Sequence, residues 1–122
     1  MRRHVAHRSP LEACGLLSGM GYHVSLSRGI PNLERSPVRF RMQPQAQWRF
    51  FQRIEAAGQE LLGIYHSHPA GPSTPSPTDL RQALYPVAQV IWSMLAGRWQ
   101  ARAFIYKDGR ALEIPIQILP DV

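Results

Sequence analysis

Apolar residues in this chain fall into short runs and alternations separated by glycine and proline, the signature of several brief elements. Residues 1–11 are polar, with room for one ragged helical turn before Pro10. Ala13 to Ser18 is an apolar run that Gly19-Met20-Gly21 turns into Tyr22–Ser27, which predicts a hairpin. Val38, Phe40 and Met42 alternate with Arg39 and Arg41, the period of a half-exposed strand. From Gln45 to Gln59 the period lengthens: Gln47, Phe50, Phe51, Ile54 and Ala57 share a helical face, and Gly58 is placed to end it. Leu61–Tyr65 reads as a short buried strand running into His66, followed by a stiff loop, Pro69 to Pro77, with four prolines.

A short helix is expected from about Pro77 to Tyr85, stopped by Pro86. Val87–Leu95 is continuously apolar enough for a central strand. Trp99 to Tyr106 and Leu112 to Ile118 alternate on either side of Asp108-Gly109, a second hairpin. The order predicts an α/β chain, a mixed β-sheet flanked by helices.

Length and composition narrow this further. The 122 residues suit a single domain spanning 1–122, and eleven prolines with nine glycines fit many tight turns. Cys14 is the lone cysteine, which excludes an internal disulfide framework and a cysteine-rich zinc knuckle. No apolar stretch follows Met1-Arg2-Arg3 and no segment has the roughly 20 apolar residues of a membrane span. No leader and no membrane partner are therefore expected, and the cytoplasm is the default compartment. The net charge is +6, and the first 53 residues hold nine arginines against Glu12 and Glu34. Such a face suits an acidic protein or nucleic acid, or is simply solvated. No Lys/Arg run is dense enough for a nucleic-acid arm, so an acidic protein partner is preferred.

Candidate chemistry begins at Tyr65-His66-Ser67-His68-Pro69. Residues i and i+2 of a strand point to one side, roughly 7 Å apart at Cα, so two imidazoles can converge on one ion. Two histidines at a strand end are also often mere exposed polar residues. Ser76-Pro77-Thr78-Asp79 is by itself a good helix start, with Ser76 as N-cap, Pro77 at N1 and Asp79 closing a capping box. A carboxylate so placed can also be swung beside the histidines by the proline loop. Two histidines and one carboxylate leave a fourth position for water, the open arrangement of catalytic zinc. The reaction then needs a non-ligating carboxylate as base and a donor for the oxyanion, a role that suits Ser76.

His66-x-His68, seven residues, Ser76, two residues and Asp79 resemble the JAMM motif of the JAB/MPN zinc metalloprotease family. Glu12-Ala13-Cys14-Gly15-Leu16-Leu17 is similar to that family's upstream glutamate segment. Asn32, Ser36-Pro37-Val38-Arg39-Phe40 and Gly63-Ile64-Tyr65 resemble its short bacterial members. The resemblance implies zinc held by His66, His68 and Asp79, with Glu12 as general acid/base and Ser76 stabilising the tetrahedral intermediate. It further implies a cytidine-deaminase-like fold and hydrolysis of a peptide or isopeptide bond after the C-terminal Gly-Gly of a ubiquitin-like or sulfur-carrier protein. Only eleven residues precede Glu12, so the family's N-terminal helix is expected to be stunted. The alternatives are a non-catalytic binding module of the same family and a basic nucleic-acid-associated protein. Cys14 is assigned to the core, Ser67 to a structural role on the opposite strand face, and Trp48, Trp92 and Trp99 to packing. A deaminase is excluded, since His-x-Glu and Pro-Cys-x-x-Cys do not occur.

Overall fold

The computed structural model describes residues 1–119, so the last three residues of the expected domain lie outside the described residues. Helix α1 (Arg2–Arg8) leads into strands β1 (Cys14–Met20) and β2 (His23–Ile30). Helix α2 (Pro44–Ala56) precedes β3 (Glu60–His68), and the six-residue α3 (Pro77–Gln82) precedes β4 (Ala88–Leu95), β5 (Arg98–Lys107) and β6 (Arg110–Ile114). The six strands form one sheet in the order β2-β1-β3-β4-β5-β6. All neighbours are antiparallel except β3 and β4, the parallel pair. The expected α/β class with a mixed sheet and flanking helices is what the chain adopts.

Strand parity sorts the core onto the two sheet faces. Val5 of α1 packs with Ala13, Leu17, Tyr65, Val90, Trp92 and Ala103 on one face. On the other, Cys14, Leu16, Ile30 and Ile64 pack with Phe50 and Ile54 of α2 and with Met42. The thiol of Cys14 is fully buried and donates to the Ile30 carbonyl at 3.4 Å, and burial pushes its pKa up to about 12. It is core, as expected.

Gly15 is required by a close approach. A Cβ there would be driven into the Tyr65 ring of the neighbouring strand, which is itself held by a 2.7 Å hydrogen bond between its hydroxyl and His4 Nδ1. Gly15→Ala is expected to lower unfolding free energy by about 1–3 kcal/mol, the cost of overpacking a filled core. Urea denaturation measures it, and an unchanged midpoint would show that the ring has room to yield.

Five expectations change. The alternation Val38–Met42 does not form a strand; only an isolated bridge, Asn32↔Met42, survives. The reason is one side chain. Asn32 Oδ1 accepts from the N–H groups of Glu34 (3.0 Å) and Arg41 (2.9 Å), and its Nδ2 donates to the carbonyls of Arg39 (3.0 Å) and Glu12 (3.1 Å). A side chain thus takes the bonds a ladder would use. The final strand stops at Ile114 rather than Ile118, because Pro115 has no N–H to donate. Helix α3 ends at Gln82, Ala83 having left helical geometry with ψ 120°. Helix α1 makes nearly two turns where one was expected, anchored by buried Val5. Trp92 packs in the core and Trp99 against it, as expected, but Trp48, also expected to pack, is exposed on the outer face of α2. Asp108-Gly109 turns as expected, both residues at positive φ (52° and 72°), the pairing of a type I′ hairpin.

Candidate metal centre

The site lies at the carboxyl end of β3, one of the two parallel strands, where open α/β sheets place their ligands. Strand β3 continues through His66, Ser67 and His68, so the two histidines share the α2 face with Ile64 while Ser67 faces away. Their Nε2 atoms stand 3.1 Å apart.

Register brings in Glu12. Cys14 pairs with His66, and Ala13 pairs with Ser67 through Ser67 N–H to the Ala13 carbonyl (3.0 Å) and Ala13 N–H to Ser67 Oγ (2.8 Å). One step further, Glu12 falls opposite His68, on the same face as both histidines. Its carboxylate and the two imidazoles have atoms all within 4.8 Å of one another, and Glu12 is only 3% exposed. Ser67 is structural as expected, and the bonds it makes fix the residue beside Glu12. The Asn32 bond to the Glu12 carbonyl holds the other side.

Asp79 arrives from the first turn of α3. Ser76 Oγ accepts the Asp79 N–H at 3.0 Å and Asp79 Oδ2 accepts the Ser76 N–H at 2.8 Å, so the expected capping box is formed. The same Oδ2 lies 3.2 Å from His66 Nε2 and 3.1 Å from His68 Nε2. The helix-cap and ligand readings of Asp79 are therefore compatible. Ser76 Oγ accepts in the cap through one lone pair, and its O–H remains to donate elsewhere.

The donor chemistry fits a cation. His68 Nδ1 lies 2.7 Å from the Pro72 carbonyl, which can only accept, so Nδ1 carries a hydrogen and Nε2 is the atom turned toward the others, a donor to Asp79 when the ring is charged and a ligand atom when it is neutral. That is the second bond by which metal-ligating histidines are oriented. Pro72, in the proline-rich loop after β3, supplies this carbonyl. His66 Nε2, His68 Nε2 and Asp79 Oδ2 stand 3.1–3.2 Å from one another, close enough to share one cation. Ligands about 2.0–2.1 Å from a tetrahedral centre stand about 3.3–3.4 Å from each other, close to what is found. Among the described residues Glu12 Oε1 and His66 Nδ1 are buried with no hydrogen-bond partner.

Electrostatics agree. Burial, with Asp79 adding to it and His68 opposing, pushes the Glu12 carboxyl up to about 8. Burial alone would raise Asp79 too, yet the bonds to His66, His68 and the Ser76 N–H hold it well below the usual carboxylate range. Burial lowers His66; in His68 the same penalty is outweighed by its bonds to Asp79 and Pro72, and its pKa rises. One carboxylate is thus pinned as an anion and the other kept ready to hold a proton.

Sequence reasoning passed over Phe40, whose ring stacks on His66 with centroids 4.5 Å apart and planes at 24°. Its alternation with arginines resembles a strand face and carries no signal of a wall for the site. Beside His66 and Asp79 opens a cleft of about 400 Å³, walled by Arg39, Phe40 and Arg41 and by Tyr85, Gln89 and Tyr106. No helix among the described residues is long and apolar enough to cross a membrane.

Comparison with known proteins agrees with this geometry. Residues 1–106 match the family described as prokaryotic homologs of the JAB domain. The chain is 34% identical over 116 residues to a probable TtuB-protein conjugate cleaving protease of Thermus thermophilus, covering 94% of this chain and 75% of that one. It is 32% identical to the CysO-cysteine peptidase of Mycobacterium tuberculosis (98% and 84%) and 34% identical to a desampylase of Pyrococcus furiosus (85% and 73%). A solution structure of a Desulfitobacterium hafniense protein superposes with TM-score 0.88 at 31% identity, covering all of this chain and 88% of that one. The Glu12, His66 and His68 cluster fits a JAMM-type metal site, and with the family matched over most of its length the chain belongs to the prokaryotic JAB family.

Proposed function

We propose that this chain is a zinc-dependent peptidase or isopeptidase that hydrolyses the bond after the C-terminal Gly-Gly of a ubiquitin-like or sulfur-carrier protein. The observation that carries it is the convergence of His66 Nε2, His68 Nε2 and Asp79 Oδ2 beside the buried carboxylate of Glu12. Relatives named for cleaving TtuB conjugates, for CysO-cysteine and for desampylation support the substrate class. The presence of both histidines and both carboxylates in one place favours the hydrolase over the binding-module reading.

His66, His68 and Asp79 would hold the ion; when bound, zinc supplies Lewis acidity, polarising a carbonyl and making water nucleophilic at neutral pH. Glu12 takes a proton from the attacking water and returns it to the leaving nitrogen. Ser76 turns its free hydroxyl hydrogen toward the oxygen on which charge develops, a contribution typically worth on the order of a hundredfold in rate.

The test is direct. A small carrier protein extended past Gly-Gly is incubated with the enzyme, and its mass is followed. Cleavage immediately after Gly-Gly is expected, lost on chelation and restored by zinc. Cleavage that persists after complete metal removal would contradict the proposal.

A further inference from the structure

A second groove, of about 330 Å³, lies between β2 and α2 and shares no residue with the metal centre. It is lined by Arg28 of β2 and by Arg49 and Arg53 of α2, all three exposed, over Ala46 and the buried Ile30 and Phe50. Among the described residues no acid lines it, and none of the three guanidiniums forms an ion pair. Helix α2 has one acid, Glu55, which stands outside the lining. Arg49 and Arg53 are one helical turn apart, where like charges weaken a helix rather than support it. Their placement does nothing for the fold and suits an anion from outside.

The groove favours a protein anion over a nucleic acid. A base needs an exposed ring to stack on, and the one aromatic of the lining, Phe50, is 3% exposed. Strand β2 is the outermost of the sheet, so its outer edge has no strand partner among the described residues, and a peptide laid beside it can bond to main chain. Carboxylates two residues apart on an extended segment stand about 7 Å apart, and Arg49 and Arg53 are about 6 Å apart along the helix axis. Acidic residues at alternate positions thus meet the arginines at nearly their own spacing, through strong charge-assisted bonds. The groove is also within reach of the metal-side cleft. Helix α2 stands between the two, with Gln47 lining the cleft and Ala46 and Phe50 the groove. A helix is about 10–12 Å wide, a span that about four extended residues cover.

We infer that Arg28, Arg49 and Arg53 form an exosite that docks an acidic, extended segment on the folded body of the carrier protein while the carrier's tail lies in the cleft. This rests on the hydrolase reading above. The exosite takes no part in breaking the bond. It holds the carrier so that its tail meets the metal centre as a tethered group rather than a free one. Losing it therefore weakens the grip on the carrier and leaves turnover of bound carrier as it was. Opposite charges also steer the encounter, in a way that salt suppresses.

Binding and kinetics test this together with the zinc-loaded full chain. A short fluorescein-labelled peptide alternating glutamate and threonine is titrated by anisotropy, beside its glutamine counterpart and a single-stranded oligothymidylate. The glutamate peptide is expected to bind at least about tenfold more tightly than the glutamine one. The triple variant Arg28→Gln, Arg49→Gln, Arg53→Gln should lose that advantage, and Arg28→Lys, Arg49→Lys, Arg53→Lys should recover part of it. On a ubiquitin-like Gly-Gly carrier of net negative charge, extended by alanine, the glutamine variant should raise KM by about tenfold with kcat unchanged. On a short peptide with the same Gly-Gly-Ala end, both constants should match the parent's. A glutamate peptide bound equally by parent and variant, a carrier KM that does not move, or equal slowing of carrier and short peptide overturns the inference and leaves the hydrolase reading intact. So does oligothymidylate bound more tightly than the glutamate peptide and lost in the variant, which makes the groove a nucleic-acid site. Absence of cleavage of both carrier and short peptide removes the hydrolase reading and this one with it.

Discussion

Replacing Glu12 by glutamine is expected to cut turnover by at least about a hundredfold while leaving fold and metal content unchanged. Glutamine keeps the side chain's length and bulk at a buried position, so the strand pairing that Ala13 and Ser67 secure is not disturbed. What it loses is the ability to accept and return a proton. General acid–base groups typically contribute about 10²–10⁴-fold, and burial raises this carboxyl's pKa, so that it can hold a proton as well as give one up. Steady-state kcat on an extended carrier, with metal content measured on the same sample, decides it. A variant within a few-fold of the parent would show that proton transfer runs elsewhere.

Asp79→Asn is expected to do the opposite to the metal. Both carboxylates approach the histidines, but not equally: Asp79 Oδ2 is 3.1–3.2 Å from each Nε2, whereas the Glu12 cluster closes only within 4.8 Å. Asparagine can still accept the Ser76 N–H through its carbonyl, so the start of α3 survives. It carries no charge to set against an ion. Loss of a supporting hydrogen bond to a metal ligand costs about 10–100-fold in affinity, and loss of a ligating charge should exceed that. Zinc affinity by competition with a chromophoric chelator should therefore fall by at least about a hundredfold in Asp79→Asn and barely move in Glu12→Gln. If the two variants exchanged these outcomes, Glu12 would be the ligand and Asp79 the base.

The pairing of His66 and His68 was legible because strand geometry is local: residues two apart share a face whatever the rest of the chain does. The capping box from Ser76 to Asp79 was legible for the same reason, as a pattern within one helical turn. Glu12 was different. Its place opposite His68 follows from the antiparallel register Cys14↔His66, a contact across more than fifty residues that no local pattern specifies. Only the resemblance to a known motif pointed to it. The segment 36–42 shows the reverse failure, since its alternation is real but Asn32 captured the backbone groups a neighbouring strand would have used. Phe40 and the flanking arginines became walls of the site instead. The hairpin about Asp108-Gly109 was plain, whereas its end at Pro115 shows a single missing donor overriding four further residues of alternation.

The central claim is that His66, His68 and Asp79 together hold one ion. A crystal of the zinc-loaded protein, with anomalous data collected on both sides of the zinc edge, addresses it without reference to any substrate. One peak is expected, about 2.0–2.2 Å from His66 Nε2, His68 Nε2 and an Asp79 carboxylate oxygen, with Glu12 near but not ligating. No peak there, or a peak bound by Glu12 in place of Asp79, would contradict it.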